Sequence, residues 1–231
     1  MKILVACEES QAVTIELCKL GHEAYSCDII ECSGGHPEWH IQQDVIPLLN
    51  GNCRFFTMDG VEHRICGRWD MIIAFPPCTY LSNAGACRLY PQKGHIDIER
   101  YKKGLQAKAF FMKFLNANCD RIAVENPVSS KVYQMPIHSQ EIQPWQFGCP
   151  VTKKTRLWLK NLPLLKPTNV VKATNPYIPS CTGRKDKSKY GVAGHSPISR
   201  SKTFPGIAKA MAQQWAGLAD GGIAEWKEDK Q

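Results

Sequence analysis

Met1–Ile30 reads MKILVACEESQAVTIELCKLGHEAYSCDII, and this stretch decides the fold. Lys2–Cys7 (KILVAC) is an apolar run of strand length. Ser10–Leu20 carries Val13, Leu17 and Leu20 at helical spacing, with Ser10 as the expected N-cap and Gly21 as the stop. Glu23–Ile29 (EAYSCDI) reads as a second strand, with Asp28 at its end. Strand, helix and strand in such quick succession are the building unit of a parallel sheet.

The pattern continues outward. Trp69–Phe75 (WDMIIAF) is a buried strand stopped by Pro76-Pro77. Ile98–Asn118 is a long helix with Leu105, Ala109, Met112 and Leu115 expected on one side. Arg121–Val124 (RIAV) is a strand expected to stop at Glu125-Asn126-Pro127. Together these predict an α/β fold with a doubly wound, mostly parallel sheet. After about Met135 the texture changes: nine of the fifteen prolines lie from Pro136 to Pro205. Thr155–Lys160 (TRLWLK) reads as a strand, and Thr168–Pro197 as a polar, basic loop or small lobe. Phe204–Leu218 reads as an amphipathic helix with Pro205 in its first turn, followed by a frayed tail at Glu225–Gln231.

The 231 residues fit one domain, or one domain with a small appendage. Hydrophobic residues make up 43% and mean hydropathy is −0.31, which excludes wholesale disorder. The net charge of +8 is concentrated. Val151–Lys202 holds twelve Lys and Arg against one acid, Asp186, a net +11 that leaves −3 for the rest. Such a window is either a solvated loop or a phosphate-facing surface. The eleven cysteines come with no secretory opening and no C-x-x-C pair. Reduced thiols in a cytoplasmic protein are expected, and no membrane span. Cys32, His36 and His40 offer part of a metal site or an incidental loop, the latter favoured because no fourth ligand is evident.

In an open parallel sheet, ligands bind beyond the carboxyl ends of the strands. One rim would collect Asp28, the Phe75-Pro76-Pro77-Cys78 turn and Glu125-Asn126-Pro127: a carboxylate, a rigidly placed thiol, a second carboxyl and a carboxamide.

Ala74–Gly85 (AFPPCTYLSNAG) resembles the Pro-Pro-Cys motif of the DNA (cytosine-5) methyltransferases, and Glu125-Asn126-Pro127 resembles their Glu-Asn-Val motif, 47 positions on. Lys154-Thr155-Arg156 resembles their Arg-containing strand motif, and FPGIAKAMAQQW their last helix. The resemblance, to a small phage- or prophage-type member, implies a Rossmann-like methyltransferase fold. Residues 1–150 would bind S-adenosyl-L-methionine and carry the catalytic groups. Residues 151–202 would be a reduced target recognition element, and 203–231 a helix packing back, plus a tail. It implies methyl transfer to C5 of cytosine in DNA, with the base flipped from the duplex, and the reading is of a monomer.

In that chemistry Cys78 is the nucleophile at C6. Glu125 shares a proton with N3, Asn126 holds the loop or the base edge, and Arg156 orients O2 or a phosphate. Asp28 would bond the cofactor ribose and Asp44 its adenine amino group, with Cys7, Ile29, Phe75 and Pro76 lining the pocket. The family's glycine-rich first turn is replaced by Ala6-Cys7-Glu8-Glu9-Ser10-Gln11. Glu8 and Glu9 would instead meet the cofactor's ammonium group. Ser82, Lys153, Lys154, Arg184, Lys185, Lys187 and Lys189 are the candidate DNA contacts. Two other outcomes share these motifs: the same Cys/Glu chemistry on RNA or a free pyrimidine nucleotide, and a non-catalytic DNA-binding relative.

Overall fold

The computed structural model describes residues 1–92, 94–177 and 201–217. Five strands form a parallel core: β1 (Lys2–Ala6), β2 (Glu23–Asp28), β3 (His40–Gln42), β6 (Met71–Ala74) and β7 (Ile122–Pro127). A small antiparallel hairpin intervenes in the chain, β4 (Cys53–Phe56) with β5 (Glu62–Ile65). The main sheet runs β3-β2-β1-β6-β7-β10-β8, where β8 is Gln140–Ile142 and β10 is Thr155–Lys160. β10 runs against both its neighbours. The two-residue strands β9 (Val151–Thr152) and β11 (Asn175–Pro176) pair beside it.

Alternation along each strand builds two cores. Ile3, Val5, Met71, Ile73, Ala123 and Leu157 face one side. There they meet Val13 and Leu17 of α1 (Ala12–Lys19) and Ile207 and Met211 of the C-terminal helix, Pro205–Ala216. Leu4, Ala6, Ile72, Ala74, Val124 and Trp158 face the other, against Phe111 and Phe114 of the long helix Ile98–Leu115. Counting the short α2 (Ala86–Leu89), the long helix is α3 and the last is α4. Crossover helices on opposite faces make the sheet doubly wound, as the sequence predicts.

Several local expectations change. Ser10 does not cap α1. Gln11 occupies that position in the left-handed region, φ 57°, without a side-chain cap bond. Glu8 supplies the cap from upstream, taking the amides of Val13 (2.7 Å) and Thr14 (3.3 Å). The buried face of α3 is Gly104, Phe111 and Phe114, while Leu105 is exposed and the helix ends at Leu115. Gly104 is there because Tyr133 lies where its Cβ would be. The RIAV strand does not stop before Glu125. It runs through Pro127 because β10 supplies a six-residue ladder. His40 gives its ring nitrogens to Ser26 Oγ (2.8 Å) and the Ile30 carbonyl (2.9 Å), and His36 stacks on Trp39 and bonds Glu38. Among the described residues no cluster could hold a metal ion, and no helix is long and apolar enough to cross a membrane.

Candidate active site

β1 is the pivot of the sheet, with β2 and β3 on one flank and β6 and β7 on the other. The carboxyl ends of β1 and β6 therefore form the switch point of the sheet, the place where open α/β sheets bind ligands. The Phe75 amide bonds the Ala6 carbonyl at 2.9 Å, which fixes the two strand ends to each other.

On the β1 side the turn is built without glycine. Cys7 adopts φ 59°, and its amide and that of Glu8 both reach the Cys27 carbonyl. Burial pushes the Cys7 thiol well up, and the nearby charges of Asp28 and Asp44 push the same way. The ends of β1, β2 and β3 therefore converge. Asp28 is half-buried, its carboxyl raised by burial even though it accepts the Ile30 amide at 3.3 Å. Asp44 is exposed and accepts the Ile46 amide at 3.0 Å. Ile29 stands 73% exposed beside them.

The two acids of the turn differ. Glu8 points inward to cap α1, and the Thr14 hydroxyl completes its shell at 2.8 Å. Burial raises its carboxyl to about 7 despite those bonds. Glu9 is only 8% exposed, and its Oε1 has no hydrogen-bond partner. An orphaned buried carboxylate oxygen calls for a ligand or a cation. Glu9, not Glu8, is thus the acid left open to a bound group.

On the β6 side, Pro76-Pro77 leads the chain into a turn where the amides of Leu81 and Ser82 converge on the Cys78 carbonyl at 3.1 and 2.8 Å. Asn126 is fully buried, and its Nδ2 donates to the Pro76 carbonyl at 3.0 Å. Ser82 bridges Ser129, and the Asn83 and Ser130 amides bond the Val128 and Leu81 carbonyls. The Cys78 turn and the exit of β7 are therefore one assembly. Arg100 of α3, missed in the sequence, adds to it: Nη2 donates to the Thr79 carbonyl at 3.0 Å and the guanidinium lies 5.1 Å over the Tyr80 ring. An arginine following the Asp97 helix cap is an ordinary pattern, and only the fold brings it to this turn.

Glu125 lies opposite Leu157 and Asn126 opposite Arg156. Burial raises the Glu125 carboxyl, opposed by the Lys153 charge and the Thr155 hydroxyl. Neither was singled out in the sequence as a partner for Glu125. The Arg156 guanidinium is not directed at Glu125; its Nε holds Glu141 Oε1 at 2.9 Å, while Lys154 takes the other oxygen at 3.0 Å. Arg184, Lys185, Lys187 and Lys189 lie outside the described residues.

No known family profile matches the chain, nor does any curated protein. One solved structure similar to it is described as a candidate DNA modification methyltransferase encoded within an E. coli prophage. The identity is 12% and the TM-score 0.40, over 74% of this chain and 51% of the other. The chain thus spans about half the length of that protein, and the likeness is too distant to bear on chemistry.

Proposed function

We propose that the chain transfers a methyl group from S-adenosyl-L-methionine to C5 of cytosine in DNA through a covalent bond between Cys78 and C6. The observation that carries this reading is the Asn126–Pro76 hydrogen bond. It ties the thiol turn after β6 to the strand that bears Glu125, so that nucleophile and carboxyl share one rim.

The residues on the β1 side fit the cofactor. Glu9 offers an unpartnered buried oxygen to the ammonium group, Asp28 a strand-end carboxylate to the ribose hydroxyls, and Asp44 an acceptor to the adenine amine. Cys7, Ile29, Phe75 and Pro76 supply the apolar lining. When bound, S-adenosyl-L-methionine supplies an electrophilic methyl.

Cytosine C5 is a poor nucleophile until a thiolate adds to C6. The Cys78 sulfur forms that bond, and the displaced electron pair spreads over C5 and N3. Glu125 gives N3 a proton, and burial favours the protonated carboxyl that this step needs. Asn126 keeps the Pro76–Cys78 turn in place through these steps. Once C5 carries the methyl, the N3 proton returns to Glu125, a base takes the C5 proton, the S–C6 bond breaks, and its electron pair returns to sulfur as thiolate. Chemistry on C5 and C6 at this rim requires a base removed from its stack. The basic window 151–202, with Lys154 and the cations from Arg184 to Lys189, makes phosphate contacts that give affinity with a short or loose sequence preference.

Labelled methyl from S-adenosyl-L-methionine should appear on cytosine in duplex DNA, and Cys78→Ser should abolish it. DNA carrying 5-fluorocytosine should trap a covalent adduct on the wild-type chain. Absence of both the label and the adduct sinks the reading. Equal turnover of free nucleotide sinks its DNA part.

A further inference from the structure

Arg156 stands at the centre of a row that crosses three strands. It lies directly opposite Asn126 of β7 on one side and Glu141 of β8 on the other. Directly opposed residues in a ladder share a face. The row therefore lies on the α3 side of the sheet, with Val124 and Trp158, while Glu125 lies with Leu157 on the other side. Asn126 holds the Pro76 carbonyl at the carboxyl end of β7. The row thus starts beside the thiol turn and runs out to β8, the last strand of the sheet.

Within the row Arg156 is turned outward. Its Nε donates to Glu141 Oε1 at 2.9 Å. Its Nη1 and Nη2 groups make no hydrogen bond among the described residues. Asn126 Oδ1, fully buried on the inner side, has no partner either, and Arg156 does not turn to it. Reaching a base bonded to Cys78 would mean turning the guanidinium off Glu141 and across β7.

Glu141 gathers more than one cation. Lys154 Nζ lies 3.0 Å from its Oε2, and His138 Nε2 lies 3.6 Å from its Oε1. Lys154 and Arg156 hold its carboxyl below the usual carboxylate range. One carboxylate shared by an ammonium and a guanidinium leaves one positive charge over, with the Nη donors still to be used. A guanidinium fork beside an ammonium suits the oxygens of a phosphate.

We propose that Glu141 is a positioning residue that holds Arg156 and Lys154 side by side as a seat for one phosphate of the DNA backbone, at the sheet edge beyond the thiol turn. The inference rests on DNA as the substrate of the proposed reaction, and it gives Arg156 a phosphate in place of the base O2.

The test is equilibrium binding of a labelled DNA duplex to the full chain across a salt series, read by fluorescence anisotropy without cofactor. Lys154→Met and Arg156→Met should each weaken binding about tenfold at low salt and lower the slope of log K against log salt by about one. Glu141→Gln separates the cases by sign. It removes a negative charge, so a carboxylate that merely sits near the DNA gives tighter binding when neutralised. A positioning carboxylate gives weaker binding, by about threefold, because the two cations lose their common anchor. In protein that already carries Lys154→Met and Arg156→Met, the same substitution should no longer weaken binding. A loss that persists in that background is a loss of fold and overturns the proposal. Tighter binding by the Glu141→Gln single variant overturns it too, as does an unchanged slope in Arg156→Met. Binding needs no turnover. These slopes in a chain that transfers no methyl would sink the proposed reaction and leave the phosphate seat standing. Methyl transfer together with tighter binding by Glu141→Gln would do the reverse.

Discussion

Asn126 donates its side-chain N–H to the carbonyl of Pro76 at 3.0 Å, two residues ahead of Cys78. Both ends of that bond are buried, so nothing replaces it when one end is removed. Asn126→Ala should lower stability by about 1–3 kcal/mol, read from urea unfolding. Under the proposed reaction it should also cut single-turnover methyl transfer about a hundredfold, because the thiol turn is no longer held in line. A variant of full activity would remove the staple from the mechanism.

Glu8 makes stability depend on pH. Its folded carboxyl titrates near 7 against an ordinary value of 4.5, so between these values the folded state holds a proton that the unfolded state has lost. Stability therefore falls as pH rises through that window, by about 3 kcal/mol in total. Glu8→Gln should flatten this dependence. Urea midpoints at pH 5 and pH 8 give the comparison, and equal slopes in the two proteins would contradict it.

Glu9 should report the cofactor. Under the proposed reading Glu9→Gln removes the carboxylate oxygen offered to an ammonium group and keeps the side chain's shape. Calorimetry with S-adenosyl-L-methionine should show Kd rising about ten- to a hundredfold, which corresponds to about 1.4–2.8 kcal/mol. An unchanged Kd would mean that the orphaned oxygen serves some other group.

Gly104 lies inside α3 under the Tyr133 ring. Alanine is the better helix former there by about 1 kcal/mol on propensity alone. Overpacking against Tyr133 outweighs that gain, so Gly104→Ala should destabilise by about 1–3 kcal/mol. A rise in Tm would show that Tyr133 yields at little cost.

Much of this was legible from residue order. The strands at Lys2, Glu23 and Trp69 are apolar runs between turn residues, and the parallel sheet follows from their alternation with helices. The rim positions of Asp28, Cys78 and Glu125 follow in turn, since each stands where an apolar run ends. The β4–β5 hairpin carried a signal, Asp59-Gly60, that the strand-and-helix reading passes over. Other features depend on distant partners. The extension of β7 through Pro127 needs β10 beside it. Ser10 has the side chain of a cap, but Glu8 reaches the same amides from two residues upstream and takes the place. That Arg156 turns to Glu141 and lies across the sheet from Glu125 depends on which face a ladder presents, and that is fixed by pairing between segments some thirty positions apart.

Glu125 and Asn126 are neighbours in a six-pair ladder, and the pleat sends their side chains to opposite sides of the sheet. Under the proposed reaction Glu125 is left for the base, while Asn126 holds the Pro76 turn. A slip of β7 by a single position would exchange them, leaving a carboxylate under the turn and an amide in the pocket. Natural insertions and deletions in relatives of this chain should therefore be found in the connection between residues 128 and 139, and not between Ile122 and Pro127.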